Sequence, residues 1–134
     1  IGINRHFPTA ERLAAAEIAE IAALGMPGAR AQTIQNLARF AVDGGLLMKP
    51  GAALDECVAS LKTVRGIGEW TAQYVAMRAL RFPDAFPAGD LGLQKAAVEV
   101  PDATRLTEKQ LLIRAANWSP WRAYTALLLW HSLA

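Results

Sequence analysis

The segment that most restricts the fold is Gly66-Ile67-Gly68, which stands between two runs rich in apolar residues. Two glycines around one apolar residue let the main chain turn tightly and adopt positive φ angles, so one helix can end and another can begin at once. Leu61 before the turn and the central Ile67 are apolar and can pack the two helices together. The sequence therefore predicts a helical hairpin over residues 61–72.

Helical patterns also fill the rest of the chain. Thr9, Asp90 and Thr107 each precede apolar residues repeated at intervals of three and four, which is typical of a helix behind its N-cap. The first of these patterns continues without a break to Gly25, and it predicts a single helix there. No segment alternates with the two-residue period of a strand.

Proline and glycine pairs divide these patterns further. Pro50-Gly51 is predicted to open the third helix, and Ser119-Pro120 is predicted to cap the last one, with proline at the first helical position. Together the signals predict an all-α fold of about seven short helices. They are predicted to form one domain over residues 1–134, and because the chain begins at an isoleucine, we expect it to be a fragment of a longer domain.

The composition narrows the class of protein. The 134 residues are 53% hydrophobic and 19% charged, which excludes a disordered chain and is enough for a real core. The net charge of +2 is compatible with a nucleic-acid partner but does not decide for one. Cys57 stands alone, which excludes an internal disulfide and a cysteine-ligated cluster, and we expect a buried, inert thiol. No apolar run is long enough to span a bilayer and no signal peptide opens the sequence, so we expect an intracellular, cytoplasmic protein without a membrane partner.

The hairpin has a possible function besides turning the chain. The main-chain amides of Gly66, Ile67 and Gly68 are unobstructed, and the start of the following helix presents its positive dipole end, an arrangement that suits a phosphate group. Lys62 and Arg65 add positive charge on either side of the turn. An ordinary corner between two helices would also explain a Gly-x-Gly turn. The basic flanks favour binding of a DNA backbone.

Several ordered motifs resemble a known family. From Phe7 to Ala134 the chain is similar to the C-terminal part of the 3-methyladenine DNA glycosylase II type, within the helix-hairpin-helix superfamily of DNA glycosylases. The matching motifs are Phe7-Pro8-Thr9, Leu24-Gly25-Met26-Pro27, the hairpin from Leu61 to Ala72, Phe86 to Asp90, and Trp118-x-Pro120-Trp121-Arg122-x-Tyr124.

The resemblance implies that Asp90 is the catalytic acid. Cleavage of an N-glycosidic bond builds positive charge on the sugar, and a fixed carboxylate stabilises that charge in a pocket of low dielectric. The alternative is that Asp90 is only a helix N-cap. The acids at Asp84 and Asp102 are expected to be solvated surface groups.

The aromatic residues Trp70, Tyr74 and Trp130 match the family's base pocket. Electron-rich rings attract an alkylated purine, which carries positive charge. Aromatic residues at helical spacing are otherwise core residues, and this alternative is favoured for Trp118 and Trp121.

One position also bears on the type of reaction. Bifunctional relatives with lyase activity carry a lysine two residues after the second hairpin glycine, and this amine forms a Schiff base with the sugar. Trp70 occupies that position here, so the resemblance implies a monofunctional enzyme that leaves an abasic site.

Family members also hold a cation with hairpin carbonyls. By resemblance these would be the carbonyls of Lys62, Val64 and Ile67, binding Na⁺ or K⁺, and no other cofactor is expected. The chain departs from the family at Arg65, where a proline is common. It also lacks the family's N-terminal domain and first helices, which the parent protein or another chain would supply.

These observations predict a DNA repair enzyme of base excision repair that acts on double-stranded DNA. It would flip alkylated purines such as 3-methyladenine and 7-methylguanine out of the duplex and hydrolyse the N-glycosidic bond. Three alternatives stay open: the same fold with another base specificity, a catalytically silent DNA-binding module, and a helical interaction domain whose tryptophans form the core.

Overall fold

A computed structural model describes residues 2–46, 51–99 and 103–134. These residues form eight α-helices and one short 3₁₀-helix, without a strand. The helices are α1 (Ala10–Ala15), α2 (Ile18–Ala22), α3 (Gly28–Val42), α4 (Leu54–Lys62), α5 (Glu69–Arg78), α6 (Leu91–Ala96), α7 (Glu108–Ala115), the 3₁₀-helix Ala116–Trp118 and α8 (Arg122–Ser132). The all-α prediction is confirmed.

The predicted opening of the third helix at Pro50-Gly51 lies partly outside the described residues, and Asp102 lies wholly outside them. Within the described part of the chain, α4 begins at Leu54. No helix there is long and apolar enough to cross a membrane.

The first predicted helix is in fact two helices, so the prediction of one continuous helix was wrong. α1 ends before Ala16, whose ψ of 148° is extended, and Glu17 then starts α2 through a capping box with Glu20. The Gln35 side chain explains the break, because its Nε2 donates to the Ala16 carbonyl at 2.6 Å. A continuous helix would have used that carbonyl for the amide four residues later.

The N-cap predictions have mixed outcomes. Thr9, Asp90 and Thr107 each accept a main-chain hydrogen bond from the first turn of their helix, as predicted. The prediction for Ser119-Pro120 was wrong, because the N-cap position of α8 is Trp121. The Ser119 hydroxyl donates instead to Asp84 Oδ2 at 2.8 Å.

Contacts along the chain define two compact units, and the prediction of a single domain stays a prediction. The first unit comprises Ile1–Ala52 and Ala59–Ile67. In it α1 and α2 pack on α3, around the buried side chains of Ile21, Ala31 and Ala38.

The second unit comprises Ala53–Val58 and Gly68–Ala134. In it α6 packs against α8, and alanines such as Ala72, Ala76 and Ala126 are buried and let main chains approach closely. The loop between α5 and α6 is itself buried from Ala85 to Ala88. This buried loop leads directly to Asp90.

The burial of Cys57, Trp118 and Trp121 agrees only in part with the core expected from the sequence. Cys57 is fully buried, as predicted, and burial raises the pKa of its thiol. Trp118 is half-buried and meets Phe86 edge to face at a centroid distance of 5.9 Å. The prediction of a core position for Trp121 was wrong, because its side chain is 58% exposed and contacts the ring of Tyr124 at the surface.

Candidate functional site

The carboxylate of Asp90 accepts hydrogen bonds from three separate segments of the second unit. Trp130 Nε1 in α8 donates to Oδ1 at 2.9 Å, and Trp70 Nε1 in α5 donates to Oδ2 at 3.0 Å. The Leu93 amide in α6 donates to Oδ1 at 2.9 Å, which is the N-cap bond. Among the described residues no lysine or arginine forms an ion pair with Asp90. The charge is therefore held in place by neutral donors.

These donors also determine the charge state of Asp90. Burial disfavours its charged form, but hydrogen bonds from Trp130, the Leu93 amide, Trp70 and the Gly92 amide together outweigh burial and lower its pKa. Asp90 is consequently an anion at neutral pH.

Three aromatic rings form a cluster beside this anion, and two of them, Trp70 and Trp130, bond to it directly. The rings of Trp70 and Tyr74 are stacked, with centroids 5.0 Å apart and planes 14° apart. Tyr74 and Trp130 are tilted by 55° at a centroid distance of 6.0 Å. Trp70 remains 40% exposed, so part of the cluster is open to solvent. The structure thus brings together Asp90, Trp70, Tyr74 and Trp130, which were selected from sequence, while their roles stay predictions.

Gly92 was not selected from the sequence, although its lack of a side chain leaves space for the Asp90 carboxylate. A β-carbon at this position would lie 3.0 Å from Asp90 Oδ1, 3.3 Å from Leu133 Cδ1 and 3.5 Å from Trp130 Cδ1. A glycine in the first turn of a short helix is a signal of close approach that could have been read.

Asp84 corrects another expectation, since it is not a freely solvated acid. Arg122 binds it through two parallel bonds, Nε to Oδ1 at 2.8 Å and Nη2 to Oδ2 at 2.9 Å. Burial alone would raise the pKa of Asp84, but bonds from Arg122 and Ser119 lower it. The Asp84–Arg122 pair links the loop between α5 and α6 to α8, and it is not part of the cluster formed by Trp70, Tyr74 and Trp130.

The predicted turn lies where one helix ends and the next begins. α4 ends at Lys62, Gly66 has a φ of 98°, and Gly68 is the N-cap of α5 without a side chain to cover its amides. The apolar Leu61, Val64 and Ile67 are buried.

Helix α3 supports this turn within the first unit. Asn36 Nδ2 donates to the Arg65 carbonyl at 3.2 Å, and a β-carbon on Gly66 would overlap the Thr33 side chain. Lys62 and Arg65 are exposed at the surface, where they can meet a large anionic partner.

Of the three carbonyls expected to hold a cation, that of Val64 can be examined through its hydrogen bond. The Val64 carbonyl accepts the Ile67 amide at 3.0 Å, and since a carbonyl oxygen has two lone pairs, one remains for an ion. No group of three or more His, Cys, Asp or Glu side chains is placed to hold a metal anywhere in the described ranges.

Comparison with known proteins shows what the chain is similar to. It is 37% identical over 131 residues to a Mycobacterium tuberculosis protein called probable bifunctional transcriptional activator/DNA repair enzyme AlkA, covering 98% of this chain and 25% of that protein. It is 36% identical over 126 residues to Escherichia coli DNA-3-methyladenine glycosylase 2, covering 94% of this chain and 43% of that protein. The chain thus spans less than half the length of these relatives.

A solved structure agrees on the fold. The 3-methyladenine DNA glycosylase Mag1 of Schizosaccharomyces pombe, in complex with abasic DNA, superposes with a TM-score of 0.82 at 23% identity. The match covers 97% of this chain and 65% of Mag1. The family model of the HhH-GPD superfamily of base excision DNA repair proteins matches residues 2–123, which confirms the resemblance read from the sequence. The chain belongs to the HhH-GPD superfamily of base excision DNA repair proteins.

Proposed function

We propose that this chain is the catalytic portion of a DNA glycosylase that removes alkylated purines from double-stranded DNA. The observation that carries the proposal is the ionised Asp90, which is held by neutral donors among three aromatic rings. The names of the relatives from Escherichia coli and Schizosaccharomyces pombe support the same substrate class.

The proposed chemistry is hydrolysis of the N-glycosidic bond. The base leaves with the bonding electron pair, positive charge develops on the sugar, and a water oxygen then bonds to C1′ and loses its proton to bulk water. Asp90 stabilises the developing positive charge as a carboxylate, because its lowered pKa keeps it ionised.

The aromatic cluster supplies the proposed selectivity. An alkylated purine is cationic, and each electron-rich ring face attracts such a base by about 0.5–2 kcal/mol. Trp70 and Tyr74 present one stacked pair and Trp130 a third ring. Because an indole cannot form a Schiff base, Trp70 further supports a monofunctional reaction without strand cleavage.

The hairpin is the proposed anchor for the DNA backbone. The turn at Gly66, Ile67 and Gly68 leads into α5, whose first amides have no side-chain cap, and these amides together with the exposed Lys62 and Arg65 suit a phosphate. A Na⁺ or K⁺ held by the carbonyls of Lys62, Val64 and Ile67 would add positive charge beside that phosphate.

Two further statements belong to the proposal. Since the chain spans 43% of the Escherichia coli relative, the remaining helices of the glycosylase domain would come from the parent protein or from another chain. Because the proposed substrate is genomic DNA, the protein would act inside the cell. A catalytically silent DNA-binding module and a different base specificity are the competing functions.

The test is release of 3-methyladenine and 7-methylguanine from methylated duplex DNA. The proteins compared are the 134-residue chain, a form extended by any native sequence that precedes it, and Asp90→Asn in both. Base release that disappears in Asp90→Asn, with DNA binding retained, supports the proposal. If the 134-residue chain and the extended form both bind DNA but release no base, the result would favour a catalytically silent DNA-binding module.

A salt titration tests the hairpin separately. Each phosphate contact contributes roughly one unit to the slope of log K against log salt, so Arg65→Ala should reduce that slope by about 1. Arg105→Ala, an exposed arginine away from the hairpin sequence, is the control. Binding that does not depend on salt would favour a helical interaction domain instead.

A further inference from the structure

The loop that leads to Asp90 is tied to both neighbouring helices by glutamine side chains. Gln73 in α5 accepts the Phe86 amide on its Oε1 at 3.0 Å. Gln94 in α6 donates from its Nε2 to the Ala88 carbonyl at 3.0 Å. Gln94 is 6% exposed, and a polar side chain that deeply buried is costly unless it is hydrogen-bonded. Each glutamine therefore has a defined main-chain partner in the loop.

Further hydrogen bonds hold the two glutamines in different ways. Gln73 Nε2 donates to Glu69 Oε1 at 3.1 Å, which leaves the Gln73 oxygen facing the loop amide, so this side-chain amide cannot rotate without breaking two bonds. The main chain of Gln94 is held instead, since its amide donates to the Asp90 carbonyl at 3.0 Å and its carbonyl accepts the Leu106 amide at 2.9 Å.

We propose that Gln73 and Gln94 are positioning residues that keep the Asp90 carboxylate between the indoles of Trp70 and Trp130. This inference depends on the proposed function of Asp90. α6 has only six residues and cannot by itself fix the carboxylate that caps it. The indole donors come from two other helices, so a loop displacement of about 1 Å would break their bonds and can cost about a hundredfold in rate.

The first test removes the hydrogen bond from Gln94 to the Ala88 carbonyl while keeping the volume of the side chain similar. Gln94→Met should lower the single-turnover rate of base release at saturating DNA by about tenfold to a hundredfold, with the DNA Kd within about twofold of the wild type. Gln35→Met is the matched control. Gln35 is also 6% exposed and also donates to a main-chain carbonyl, that of Ala16, but it lies in the first unit.

A second pair of variants tests the hydrogen bond between the Phe86 amide and Gln73 in α5. Gln73→Met removes the acceptor for the Phe86 amide, whereas Gln73→Glu made together with Glu69→Gln keeps an oxygen there without placing two carboxylates side by side. We expect this double variant to retain more of the rate than Gln73→Met combined with Glu69→Gln. This rescue distinguishes a positioning role from a general loss of stability.

An NMR measurement tests the positioning role independently of any measurement of base release. The indole N–H signals of Trp70 and Trp130 in ¹H–¹⁵N NMR report their bonds to Asp90. Both signals should move in Gln94→Met and stay in place in Gln35→Met. Unchanged indole signals and an unchanged rate in Gln94→Met and Gln73→Met would overturn the proposal. Absence of base release by the wild-type protein, with indole signals that move as expected, would overturn the proposed function alone.

Discussion

Asp84 and Asp90 belong to the same loop, and both carboxylates accept several hydrogen bonds that lower their pKa. Asp84 is bound by a guanidinium, so its charge is balanced by Arg122. Asp90 is bound by two indoles and main-chain amides, which fix its position, and among the described residues no cationic side chain pairs with it. The difference shows how one loop can provide a structural anion and an anion available to stabilise a cation.

Removing each negative charge in turn should give the largest difference between Asp84 and Asp90. Asp90→Asn should reduce the rate of base release by about 10²–10³, because it removes the negative charge that we propose stabilises the developing positive charge. Asp84→Asn, measured below its melting temperature, should change the rate only slightly. Single-turnover kinetics on methylated DNA check both variants, and equal losses would refute the assignment of different roles.

The cationic partner of Asp84 is the next target. Arg122→Gln should lower the free energy of unfolding by about 1.5–3 kcal/mol, because it removes a two-bond contact to a partly buried carboxylate. Arg114→Gln is the control, since its partner Glu99 is 75% exposed and such pairs contribute about 0–1 kcal/mol. Urea denaturation measures both. A smaller effect at Arg122 than at Arg114 would contradict the structural role of the Asp84 pair.

An indole donor can be removed while its ring is kept. Trp130→Phe should lower the rate about tenfold at neutral pH, because a hydrogen bond to a charged group is lost. The Trp130 bond is the strongest of the contacts that lower the pKa of Asp90, so that pKa should rise. The acid side of the pH–rate profile should then move to higher pH. Trp118→Phe, which alters a ring away from Asp90, should leave the profile unchanged, and a shift in both would argue against the indole bond.

The smallest effect concerns stability at acid pH. The folded pKa of Asp84 is lowered, so its contribution to stability is present above the ordinary aspartate pKa of about 3.9 and is lost as the pH falls through the folded value. The difference in unfolding free energy between wild type and Asp84→Asn should therefore shrink as the pH falls below about 4. Denaturation series at several pH values measure it, and a constant difference would show that Asp84 is not stabilised as an anion.

Local signals in the sequence were sufficient for much of the fold. Thr9, Asp90 and Thr107 act as N-caps because a cap depends on residues in the next turn. The hairpin followed from Gly66, whose positive φ is a local requirement. The break at Ala16 was missed because the bond that stabilises it comes from Gln35, on another helix.

The site could be predicted only through the resemblance to a family. Trp130 reaches Asp90 across a long sequence separation, and no spacing rule relates the two. Asp84 was misjudged for the same reason, since its partner Arg122 is equally distant in sequence. Tertiary hydrogen bonds leave no local pattern, whereas caps and turns do.

The absent β-carbon at Gly92 has a consequence for how this site can evolve. A β-carbon there would require Asp90 Oδ1 and Leu133 Cδ1 to shift by a few tenths of an ångström, and it would lie in ordinary contact with the Trp130 ring. Leu91, the neighbouring residue, is 55% exposed and is free of that restriction. We therefore expect a substitution at position 92 to displace the Asp90 carboxylate, whereas position 91 can vary without that displacement.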